Sequence, residues 1–229
     1  MHRMLCLFLA PLLITSCNRS DAAVTGRMTV EEARADVEAG GRGLATLNPN
    51  PTRAYRITLR INNAPGEFKY VKGGAQYDVV NEDECGSIHP KSGTASRITS
   101  QEDVQLTRLS STEYTGIVYA DYMQDDDLYG RGVCHWDLTG ASAVIKVTGA
   151  YEETRFMTFM EARDIADGRA HTRYYTTRNY PRAAPSRKYP HLPPLQNYGD
   201  GGAAGVDEFL PQFREAAFSV TLDAAEVRP

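Results

Sequence analysis

Asp125-Asp126-Asp127, with Asp121 and Asp137 close by, is the densest group of carboxylates in the chain. Oxygen ligands of this kind suit Ca²⁺, but the D-x-[DN]-x-[DN]-G spacing of an EF-hand loop is absent. Three readings stay open: a solvated loop, a protein-contact patch, or a cation site. Tyr122, Tyr129 and Arg131 flank the acids. Tyr and Arg bury much area at modest entropic cost and keep a polar end, which favours them in binding surfaces. Tyr122, Asp125, Asp126, Asp127, Tyr129 and Arg131 are therefore the candidate partner-binding residues. The chain holds 13 tyrosines, so local enrichment alone decides little.

A second region is basic and aromatic: Tyr174-Tyr175, Arg178, Tyr180, Arg182, Arg187, Lys188, Tyr189 and Tyr198. It suits an anionic partner or lipid headgroups; the plainer reading is a polar Pro-rich loop. Catalytic patterns are absent. There is no G-x-S-x-G elbow, no H-E-x-x-H and no phosphate-binding G-x-x-x-x-G-K-[ST]. His89, His135, His171 and His191 are isolated in sequence. No catalytic residue, metal ligand or cofactor is expected.

The N-terminus addresses the compartment. His2 and Arg3 precede an apolar run from Met4 to Ile14, too short to span a bilayer and suited to a secretory signal peptide. Its end, Ile14-Thr15-Ser16-Cys17, resembles the lipobox of bacterial lipoproteins, which implies acylation of Cys17. Two or more acyl chains, at about 0.8 kcal/mol per buried CH₂, anchor a protein stably. Asn18 follows where Asp would be associated with inner-membrane retention, so the expected place is the periplasmic face of the outer membrane. Cys6 leaves with the signal peptide. Cys85 and Cys134 then remain, an even number in an oxidising space, and a disulfide between them is expected. A two-cysteine metal site needs tighter spacing, such as C-x₂-C. The whole chain has a formal net charge of −4, and losing Arg3 makes the mature chain slightly more acidic. Nucleic-acid binding, which wants a basic face, is not expected.

Residues 1–16 thus read as signal peptide, 17–28 as tether and 29–229 as a single β-rich domain. Thr29 and Glu32 form the S/T-x-x-E capping box before a short helix over about 30–39, stopped by Gly40-Gly41. In Tyr55–Ile61 the odd positions are apolar and the even ones polar, which marks a half-buried antiparallel strand. Strands are expected at 68–71 and 75–80, broken by Gly73-Gly74, and at 104–109 and 112–123. Two more are expected between Gly130 and Gly149, joined by a turn at Thr139-Gly140, with Cys134, Trp136 and Leu138 sharing a core face. Further strands are expected at 151–159, 170–177 and 217–222, with one helical turn at 161–168 and another in 206–216. Prolines and glycines exclude regular structure over 180–205. Eight or nine short strands with few helices predict a mainly β fold: a β-sandwich or open barrel with a short N-terminal helix and a long Pro/Gly-rich loop.

The segments Glu84-Cys85-Gly86, Tyr129-Gly130-Arg131-Gly132-Val133-Cys134-His135-Trp136 and AYRITLRINNAPGEF resemble a family of small proteobacterial lipoproteins. These are periplasmic immunity proteins paired with antibacterial effectors of type VI or type IV secretion systems. The likeness spans about residues 54–181 and the lipobox. It implies a membrane-tethered, β-rich domain that binds a cognate toxin, a lipase or cell-wall hydrolase, and occludes it. No catalytic residue transfers. The rival readings are an envelope assembly or structural lipoprotein, and an enzyme in which His135 or His171 meets acids in a cleft.

Overall fold

The computed structural model describes residues 28–89, 91–186 and 188–227. Ten strands form two sheets. The first has the order β4(Thr107–Arg108), β5(Glu113–Tyr119), β1(Ala54–Asn62), β10(Ala217–Val227), β8(His171–Thr176). The second runs β3(Thr99–Val104), β2(Tyr70–Val79), β6(Trp136–Lys146), β7(Arg155–Glu161), β9(Gly199–Asp200). All pairings are antiparallel except β7 with β9. The sheets are not closed into a barrel; they form a sandwich. Four short helices accompany them: α1(Val30–Glu38), α2(Glu82–Cys85), α3(Ala162–Ala166) and α4(Pro211–Arg214).

The alternation read in β1 is the alternation that packs. Ile57, Leu59 and Ile61 are buried, while Arg56 and Arg60 face water. Phe218, Val220 and Leu222 of β10 extend the same inner layer. Tyr77, Ile145, Phe156 and Met160 supply the opposing layer. Phe68, Phe156, Tyr175 and Phe218 meet with ring centroids 5.1–5.8 Å apart. Such pairs contribute about 0.5–1.5 kcal/mol each beyond area burial. Two buried hydroxyls stitch the sheets together: Tyr77 donates to the Tyr119 carbonyl at 2.7 Å, and Tyr175 to the Met157 carbonyl at 2.6 Å. Burial pushes both phenols well above their usual range.

Several boundaries depart from expectation. No turn occurs at Thr139-Gly140, because β6 runs continuously through it. Its register against β2 slips there instead: Gly140 faces Gln76 and Leu138 faces Tyr77, leaving Thr139 as the extra residue of a bulge. The inner face therefore changes from Trp136 and Leu138 to Ala141, Ala143 and Ile145. A side chain at Gly140 would overlap the Met160 carbonyl, so glycine is required where β7 comes close. Gly73-Gly74 does not break β2; both residues stay in register with β3 and β6, and their missing side chains admit Val104 and Gln101. The strand expected at 104–109 is a corner, with β3 ending at Val104 and only Thr107–Arg108 pairing with β5. The strand expected at 151–159 begins at Arg155, and the last strand continues past Leu222 to Val227. Pro211 starts α4 at its first turn rather than limiting it, because a proline there forfeits no helical hydrogen bond. The Pro/Gly-rich segment contributes the two-residue strand β9.

Asp78 locks the bulge. Its carboxylate accepts from Thr139 Oγ1 at 2.5 Å, from Arg97 Nη2 at 2.6 Å and from Gln76 Nε2 at 3.2 Å. Partial burial would raise its pKa, but these donors outweigh burial and hold it at about 2, against 3.8 when free. A depressed folded pKa contributes stability that is complete above the free value and lost as pH falls through the folded one. The stability difference between the parent chain and Asp78→Asn is thus expected to be constant above about pH 4 and to shrink toward pH 2, read from urea melts. A difference that does not change across that window would remove Asp78 as the acid-sensitive lock.

Candidate functional site

Because β1 runs up one sheet and β2 returns down the other, the sandwich has two poles. The first collects the start of β1, the end of β2, α1, α2 and the loop before β6. The second collects the β1–β2 turn, the β6–β7 loop and the Pro/Gly-rich segment.

The candidate residues of the acidic loop lie at the first pole, and most of their polar atoms are engaged within the chain. The Cys85–Cys134 disulfide is formed, with 5.3 Å between Cα atoms, and both sulfurs are buried. Asp121 accepts from the backbone N–H groups of Thr52 and Arg53 at 2.9 and 3.0 Å. Asp125 accepts from the Trp136 N–H at 2.9 Å and pairs with His135 Nδ1 at 2.7 Å. Asp126 Oδ1 accepts from the Asp127 N–H, and its carbonyl bridges to Cys134. Asp127 accepts from the N–H groups of Arg131 and Gly132 at 3.0 and 3.3 Å. Desolvation alone would raise the Asp127 pKa, but those N–H groups carry it below the usual carboxylate range. Arg131 reaches back to the carbonyls of Gly86 and Asp83 on either side of the bridged Cys85. Tyr122 is half-buried and stacks on Tyr119 at 6.0 Å, and Tyr129 is half-buried as well. The acids thus shape a loop. Among the described residues no group of three His, Cys, Asp or Glu side chains could hold a metal ion. Cys17 lies outside the described residues.

The same loop forms one wall of a cleft that the sequence did not reveal. Leu128 and Tyr129 face α1 and the 87–99 segment across a volume of about 310 Å³. Thr29 caps α1 through the predicted box, with Glu32 Oε2 2.8 Å from the Thr29 N–H and Glu32 N–H 3.3 Å from Thr29 Oγ1. Asp36 Oδ2 accepts from the Gly43 N–H at 2.8 Å and folds the chain back along the helix. Arg42 then grips Glu102 with two hydrogen bonds of 2.7 Å, and Ser100 Oγ adds a third at the same length. Glu102 is 5% exposed, so this pair is part of the packing. Nothing in the polar run Thr99-Ser100-Gln101-Glu102-Asp103 signals an inward carboxylate; its partner is 60 residues away.

At the second pole the Pro/Gly-rich segment is basic in sequence. From Gly168 to Gly199 the chain carries six Lys or Arg residues and no Asp or Glu. Arg169 pairs with Asp164 and Asp167, and Arg173 donates to the Gly201 and Gly202 carbonyls. Arg178 donates to the Pro185 carbonyl at 2.9 Å. Arg182 and Lys188 are exposed and form no ion pair among the described residues; Lys188 lies 5.2 Å from the Tyr189 ring centre. Leu195, Leu192 and Tyr189 stand 67%, 51% and 46% exposed beside them. The segment is held at its ends: the Pro181 carbonyl accepts from Thr154 N–H and the Tyr198 carbonyl from Arg155 N–H, at 2.9 and 2.8 Å. Tyr180 packs edge-on against Phe68 at 5.6 Å.

No known protein family, curated protein or solved structure matches this chain. Of the histidines, His135 meets Asp125 on an exposed surface. His171 is half-buried; desolvation and the neighbouring Arg173 lower its pKa. No helix among the described residues is long and apolar enough to cross a membrane.

Proposed function

We propose that this chain is a lipid-anchored periplasmic binding protein that neutralises a cognate antibacterial toxin, a lipase or cell-wall hydrolase, by occluding it. The observation that carries the binding reading is the second pole. It joins the exposed cations Arg182 and Lys188, an acid-free run of sequence and three exposed apolar side chains on a segment tied down at both ends. A prefixed aromatic and cationic surface loses little entropy on docking and steers an acidic partner electrostatically. Occlusion needs shape and charge and no reactive group. The class of partner comes from the resemblance of the Cys85 and Cys134–Trp136 segments to immunity lipoproteins. The N-terminal helix sits at the opposite pole, so a chain anchored through Cys17 presents the Pro-rich pole away from its anchor.

The test is co-purification of the full chain with the product of the adjacent gene, followed by an activity assay on that product. A stoichiometric complex that abolishes hydrolase activity is expected. Tyr189→Ala combined with Lys188→Glu is expected to weaken it by 30-fold or more, the effect of losing a hot spot of about 2 kcal/mol. Affinity should also fall with added salt. A neighbour that does not bind, or a complex indifferent to both substitutions and salt, would sink the proposal.

A further inference from the structure

The cleft at the first pole has a chemistry of its own. Its wall is apolar along the floor: Val30, Ala33 and Val37 from one face of α1, Leu44 from the turn that follows it, Ile98 and Leu128 opposite. Val30, Val37 and Ile88 are exposed along it. Every charged side chain lining it is an arginine: Arg34, Arg42 and Arg97. No carboxylate lines it, although α1 carries four. Glu32 is turned into the helix cap and Asp36 holds the Gly43 N–H. Arg42 and Arg97 are balanced from behind by Glu102 and Asp78, neither of which reaches the wall. Arg34 is exposed and has no ion-pair partner among the described residues. His89 adds a donor. Its Nδ1 accepts from the N–H groups of Lys91 and Ser92 at 3.3 and 3.4 Å, which leaves Nε2 to carry the proton.

The geometry points to this cleft as a binding site for a single-chain anionic amphiphile, a medium-chain fatty acid. The apolar floor takes the chain, and the Arg34 end takes the carboxylate. A volume of about 310 Å³ lies at the lower end of ligand pockets. At about 30 Å³ per water-sized group it accommodates a chain of roughly ten carbons. The walls are preformed: the disulfide, the Arg131 bonds and the Arg42–Glu102 pair fix three sides. A ligand entering such a cleft does not have to order it first.

The test uses the full chain carrying Cys17→Ser, folded under oxidising conditions and kept free of detergent. Octanoate, decanoate, laurate and dodecylamine are titrated calorimetrically below their micelle concentrations. Saturable one-to-one binding of laurate is expected, with affinity falling about fourfold for each CH₂ removed. Dodecylamine should bind at least tenfold more weakly than laurate. Arg34→Glu should reverse that preference, and Val37→Glu should weaken laurate tenfold or more. Both sites are on the exposed surface of α1, so melting temperature serves as the folding control. Equal binding of laurate and dodecylamine would assign the cleft to any apolar chain. Binding of neither would leave it to a protein segment. Either outcome overturns the proposal, as does laurate binding that ignores residue 34.

Discussion

Cys134→Ser is expected to lower the stability of the domain by about 2–4 kcal/mol. The bridge closes a loop with a sequence separation of 49, for which loop-closure entropy in the unfolded chain predicts about 4 kcal/mol. Residual structure in the unfolded state subtracts from that figure. In a domain of this size the loss corresponds to a fall in Tm of roughly 5–15 °C. The location of the bridge adds a local consequence. Cys134 also bonds through its N–H to the Asp126 carbonyl, and Arg131 clasps the residues around Cys85. Releasing the bridge frees the loop that carries Leu128 and Tyr129, so the first pole loosens before the sheets do. Thermal melts with and without reductant check this. Unchanged melting of Cys134→Ser under oxidising conditions would show that the bridge contributes nothing.

Arg42→Met is expected to cost about 3 kcal/mol or more at pH 7. The arithmetic turns on Glu102 being buried while Arg42 is half-exposed. Removing the guanidinium strands a carboxylate in the interior with Ser100 as its remaining donor. The pH dependence tests the cause. In the parent chain burial would raise the Glu102 pKa, but Arg42 and Ser100 outweigh it and hold it below the usual value of 4.5. Its contribution is therefore complete above that value and lost as pH falls through the folded one. Without Arg42, burial acts against a single weak donor, and the folded pKa moves above the unfolded one. The variant then takes up a proton on folding. Its deficit should be largest at neutral pH and shrink on acidification toward pH 4. Urea melts of both chains at pH 7 and pH 5 give the comparison. A deficit that is the same at both values would show that lost packing, rather than a stranded charge, is responsible.

The elements legible in the sequence were those whose pattern is set locally. The alternation of Tyr55–Ile61 and the capping box at Thr29 each bury or satisfy groups within their own segment, so they survived into β1 and α1 unchanged. The Cys85–Cys134 pairing was legible because few cysteines remain. What misled was glycine. At Gly140 and at Gly73-Gly74 a missing side chain admits a neighbouring strand, and sequence alone does not distinguish close approach from a turn. The change of inward parity across Thr139 compounded this, since a bulge and a hairpin both reverse an alternating pattern. The acidic loop is legible as a dense run of carboxylates, but what those carboxylates hold is not. Their partners are backbone N–H groups of Thr52, Arg53, Asp127, Arg131, Gly132 and Trp136, which no composition reports. The cleft was invisible for a related reason: its walls come from four separate segments.

The strand order has a consequence for how this molecule comes into being. The principal strands of the second sheet, β2, β3, β6 and β7, are all present once the chain reaches Glu161. The first sheet is different. Its middle strand β1 pairs along its whole length with β10, from Ala54 with Val227 to Asn62 with Ser219. During synthesis β1 therefore waits with one edge open until more than 150 later residues have been added. Closing so large a loop is slow, and an unsatisfied strand edge is where chains stick to one another. The vulnerable moment for this protein is its birth, and β10 is the strand that ends it.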